Sequence, residues 1–138
     1  MDKSEIQRII QEELRKEGGR VPNHTHNGVD SPLLHGALMV DVTDTAIITL
    51  DISVSEIQTI LLGGNRTLSV IRAKVGEVFL VSLTQDSVGS RTVTWFDTIR
   101  WAGGIVPTLT TTADKRDTFG FICMGSNLYD GFIIGQDI

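Results

Sequence analysis

The chain has 138 residues, of which 41% are hydrophobic and 21% charged, the balance of a globular domain with a real core rather than of a disordered chain. The formal charge is −5 with no basic block, which argues against nucleic acid and anionic membranes, since both bind clustered Lys and Arg. No run approaches the roughly 20 apolar residues of a membrane span, the N-terminus carries no signal-like apolar stretch, and the lone Cys123 excludes an intrachain disulfide, so the chain reads as one made and folded in a cytosol.

Three zones follow in order: 1–17, 18–36 and 37–138. In the first, Ile6, Ile9, Ile10 and Leu14 fall on one stripe of an α-helix. Asp2 is placed to cap its start, with Glu5 three residues on, and Gly18-Gly19 stop it. A stripe this narrow is marginal alone in water and calls for a partner. Two partners fit: the rest of its own domain, or a short parallel bundle or docking surface in which Ile6, Ile10 and Leu14 line a threefold seam. The second zone, GGRVPNHTHNGVDSPLLHG, has no sustained periodicity and reads as an ordered linker.

The third zone reads as β throughout. Short apolar or alternating runs at 46–51, 58–62, 67–71, 77–84, 92–95, 118–124 and 129–134 are separated by turn signals such as Gly63-Gly64-Asn65 and Gly125-Ser126-Asn127. Phe79, Val81 and Leu83 share one face of their strand. Val78 and Leu80 share the other, so this strand reads as buried on both sides. The expected core is Phe79, Val81, Leu83, Val93, Phe119 and Phe121, with Cys123 packed as a small hydrophobe. The threonines of 108–112 read as an edge strand, and Asp114 and Asp117 around Lys115-Arg116 as a solvated turn. Many short strands without an intervening helix suggest an antiparallel β-sandwich or jelly roll behind a short N-terminal helix.

No nucleophile elbow, phosphate loop or dinucleotide fingerprint occurs, so the chain is expected not to be an enzyme. The outstanding local feature is His24-Thr25-His26. In an extended backbone, residues two apart point the same way, and imidazole suits zinc, iron and nickel. Two ligands are too few for one chain, whereas three chains about an axis would supply six. The plainer reading is two polar histidines in a loop. Trp95, Trp101 and Tyr129 read either as core or intersubunit packing or as an exposed aromatic surface for a ligand such as a sugar.

Two stretches look familiar together. HTHNGVDSPLL (24–34) resembles a recurring segment of phage virion proteins. The second stretch, 84–137, contains GSRTVTW, WAGG, PTLT and GSN with Tyr129, and it is similar to β modules of trimeric phage tail fibres, spikes and head decorations. The resemblance implies a homotrimeric surface appendage of the virion, assembled in the host cytoplasm. Its partners would be capsid or tail proteins and a host glycan or receptor. It also implies one iron, zinc or nickel ion per trimer, held on the threefold axis by His24 and His26. A carbohydrate-binding module is the alternative function.

Overall fold

The computed structural model describes residues 2–17 and 39–138. The chain divides into two units, Met1–Leu34 and His35–Ile138. The first carries helix α1 (Lys3–Glu17). Its start follows the sequence: the Glu5 backbone N–H donates to Asp2 Oδ1 at 2.8 Å, satisfying one of the orphan donors of the first turn. Ile6, Ile9 and Ile10 are all exposed.

The second unit is mainly β, with nine strands among the described residues: β1 (Met39–Asp41), β2 (Ile47–Asp51), β3 (Ile57–Leu62), β4 (Arg66–Ile71), β5 (Val78–Gln85), β6 (Val93–Thr94), β7 (Thr98–Trp101), β8 (Arg116–Gly125) and β9 (Leu128–Gly135). They form a six-stranded sheet in the order β1-β3-β5-β8-β9-β7 and a three-stranded sheet in the order β2-β4-β6. From β1 to β6 successive strands alternate between the two sheets. Each strand therefore pairs with the next but one, and it does so in parallel: β1 with β3, β3 with β5, β2 with β4, β4 with β6. The last three strands complete the large sheet, β8 antiparallel to β5 and to β9, with β7 parallel to β9.

This corrects the expectation of an antiparallel sheet. A parallel pair needs a crossover, and here the crossover is a strand in the other sheet rather than a helix. Gly63-Gly64-Asn65 therefore turns a corner between sheets instead of closing a hairpin. Half-buried strands alternate in either pairing direction, so periodicity could not tell them apart. The β8–β9 hairpin is the exception, closed at Ser126 and Asn127. Asn127 takes φ +54°, a left-handed conformation that asparagine tolerates.

The two sheets share one core, including Ile48 and Leu50 from β2, Leu68 from β4, Ile60 and Leu62 from β3, and Phe79, Val81 and Leu83 from β5. At its centre Phe121 lies 5.3 Å from Phe79 and 5.0 Å from Phe96, ring centre to ring centre. Phe119 and Phe121 are fully buried and Val93 packs against the cluster from the side. Cys123 is buried, its thiol directed at the Gly125 carbonyl oxygen at 3.4 Å.

Polar side chains hold the corners. Buried Gln85 donates to the carbonyls of Arg91 and Thr110 and accepts from the Arg91 N–H at 2.8 Å. Residues 108–112 are not a strand. Thr110 N–H donates instead to Asp117 Oδ2 at 2.7 Å. Asp117 is thus no solvated turn residue: it is buried in β8 and also accepts from Asp137 N–H at 3.0 Å and Gln136 Nε2 at 3.2 Å. Burial pushes its carboxyl pKa up, but the hydrogen bonds from Thr110, Asp137 and Gln136 prevail and the net shift is downward.

Candidate functional site

The two outer sheet faces differ in chemistry. On the three-stranded sheet the outward rows read Ile47–Thr67–Thr94, Thr49–Ser69 and Asp51–Ile71, a mixture of hydroxyl side chains with two isoleucines. On the six-stranded sheet, the register sets Met39 beside Ile57, Ile57 beside Leu80, Leu80 beside Gly120 and Gly120 beside Phe132. Directly paired residues project to the same side, so this is one apolar row across five strands. The row on one side adds Val78 and Ile122 and runs on to Asp130 and Arg100; the row on the other side, Asp41–Thr59–Ser82–Thr118, is polar.

Ile134 joins the same face. It is the extra residue where the β8–β9 register shifts between Thr118 and Phe119, and an extra residue of this kind re-aims its side chain. Its Cδ1 lies where a side chain on Gly120 would stand, 3.1 Å from the ideal Cβ position, with Leu80 Cδ2 at 3.3 Å. The missing side chain at 120 lets Leu80 and Ile134 lie over the strand and keeps the centre of the face low. Met39 is 64% exposed, Val78 53%, Phe132 47% and Ile134 60%. Together these residues show roughly 500 Å² of apolar surface, at the upper end of what a monomer normally exposes.

Phe132 also lines a groove of about 400 Å³ at the β7–β9 margin, together with Trp101, Ile105, Pro107 and Ile133. A 3₁₀ turn at Ala102–Gly104 shapes its rim, with Gly103 at φ +66°. No charged side chain lines the groove. It suits an apolar segment better than a sugar, which needs polar partners for its hydroxyls.

A second cleft, of about 450 Å³, is lined by Asp41, Asp44, Thr59 and Asp86, among others. Its acids are engaged. Arg66 grips Asp44 with Nε at 2.7 Å and Nη2 at 2.9 Å; Arg91 grips Asp86 with Nη2 at 2.9 Å; Thr59 hydrogen-bonds Asp41. The Arg91 hydrogen bond, aided by the Gly89 and Val88 N–H groups and opposed by desolvation, brings the Asp86 pKa down to about 2. Hydrogen bonding to Arg66 likewise lowers that of Asp44. The two arginine pairs fasten corners of the chain to one another.

No family model matches this chain. No curated protein and no solved structure matches it either.

The residues singled out from sequence fall in three places. His24 and His26 lie outside the described residues, as does the Leu14 side chain. Among the described residues no group of three or more His, Cys, Asp or Glu is placed to hold a metal ion, and no helix is long and apolar enough to cross a membrane. Trp101 and Tyr129 are buried and Trp95 is half-buried. Trp95 meets Phe119 edge-on at 4.9 Å, and Tyr129 meets Phe96 edge-on at 5.1 Å. Their rings build the core rather than an exposed platform; only the edge of Trp101 reaches the groove. Ile6, Ile9 and Ile10 remain an exposed stripe.

The sheet face itself was missed. Its one sequence signal is the Val78/Leu80 pair opposite the Phe79/Val81/Leu83 face. That pair indicated a strand buried on both sides, whereas Val78 is exposed and Leu80 half-buried.

Proposed function

We propose that this chain is a non-enzymatic structural module of a bacteriophage particle, working as a homotrimer that decorates the capsid or forms the knob of a tail fibre. The observation that carries the reading is the apolar outer face of the six-stranded sheet. An apolar patch of about this size is often a functional surface. The exposed stripe of α1 supports it, since a 15-residue helix with such a stripe gains its stability from packing. The phage assignment rests on the resemblance of 24–34 and 84–137 to virion segments. In this reading His24 and His26 of three chains hold one iron, zinc or nickel ion, which staples the trimer.

Antibody labelling of intact particles tests the proposal. Electron microscopy of particles from a lysate producing this chain should show gold on the capsid or tail. A chain found only free in the lysate, never on particles, refutes the virion role.

A further inference from the structure

We propose that the outer face of the six-stranded sheet is the surface by which copies of this chain bind one another. The inference rests on the self-association proposed above and adds where it happens.

Four observations bear on the occupant. The first is the apolar row itself: Met39, Ile57, Leu80 and Phe132 lie side by side on the outer face of the large sheet, flanked on one side by Val78 and Ile122 and on the other by the polar row Asp41–Thr59–Ser82–Thr118. The second is charge. The row from Met39 to Phe132 contains no charged residue, and Asp41 heads the polar row beside it. At its margin the cross-strand neighbours Asp130 and Arg100 supply one charge of each sign, a pattern another copy of the same surface can match.

The third is area. Two such faces withdraw roughly 1,000 Å² of apolar surface before any polar rim is added, which is where specific interfaces begin. Three faces about an axis withdraw the same area from each chain, shared between two neighbours. The fourth is shape. Gly120 at the centre of the row leaves room for Leu80 and Ile134 to lie down over it, which keeps the middle of the row low and apolar.

Sedimentation velocity of the full-length chain tests the inference. Phe132→Lys and Met39→Lys alter the two ends of the row at exposed positions, and Thr49→Lys alters the outer face of the small sheet as a control. Far-UV circular dichroism reports folding of each. The wild type and Thr49→Lys should sediment as one oligomer. Each row variant should keep the wild-type spectrum while its dissociation constant rises about 30-fold or more, because it places an unpaired charge in an apolar contact. Two folded row variants that retain wild-type affinity would overturn the inference and leave self-association standing. A wild type that stays monomeric up to about 100 µM, a concentration that would reveal even weak association, would overturn both.

Discussion

Asp117 offers the sharpest test of the fold. Its carboxylate accepts from Thr110 N–H at 2.7 Å, Asp137 N–H at 3.0 Å and Gln136 Nε2 at 3.2 Å. It thereby ties the irregular segment before β8, and the chain end, to the large sheet. Asp117→Ala leaves two backbone donors without their acceptor. Each unsatisfied buried donor costs about 1–3 kcal/mol; both donors here are only part-buried, so the variant should lose about 1–3 kcal/mol in total. Asp117→Asn keeps one oxygen but turns an amide NH₂ toward the donors on the other side, and should lose roughly half of that. The net depression of the Asp117 pKa sets the pH dependence. The unfolded chain takes up the proton first as pH falls below about 4, so the stability from this group is fully present above that pH and is lost as pH drops through the lower folded value. The gap between wild type and Asp117→Ala should therefore be widest near neutrality and narrow in acid. Urea denaturation at fixed protein concentration, run at pH 7 and pH 3, measures both effects. A loss under about 1 kcal/mol at pH 7, or a gap that widens in acid, would refute the reasoning.

Further outcomes follow from the same geometry. Phe121 is fully buried among Phe79, Phe96 and the two tryptophans, so Phe121→Ala should cost about 3–5 kcal/mol in the same denaturation assay. Asp86→Asn removes a carboxylate whose folded pKa is about 2. Its thermal midpoint should lie below that of the wild type at pH 6 and converge with it between pH 4 and 2, as scanning calorimetry would show. Replacing His24 and His26 together with Ala should remove about one iron, zinc or nickel per three chains by elemental analysis and lower the thermal midpoint.

Where the strands lie was legible in the sequence; how they pair was not. The runs at 46–51, 58–62 and 67–71 fall within a residue of β2, β3 and β4, because apolar Ile48, Leu50, Ile60, Leu62 and Leu68 recur at every second position of short runs bounded by turn residues, whatever strands they pair with. β1 and β7 escaped notice, since three or four residues, one of them the exposed Arg100, carry too little periodicity. The corner at Gly63-Gly64 looks like a hairpin because a short glycine turn serves either use. Asp117 looked solvated because its acceptors' work depends on Thr110 and Asp137, which only the folded chain brings to it. The apolar face is spread over five strands with one residue from each: Met39, Ile57, Leu80, Gly120 and Phe132. No window of sequence contains it, and it exists only once the register is set.

The central claim is that this β module functions as an assembly of like chains. Native mass spectrometry of the intact protein, sprayed at several concentrations without chelator, tests it most directly. The account predicts a species of three 15.1 kDa chains, about 45 kDa, that persists on dilution. A single 15.1 kDa species at every concentration would contradict it.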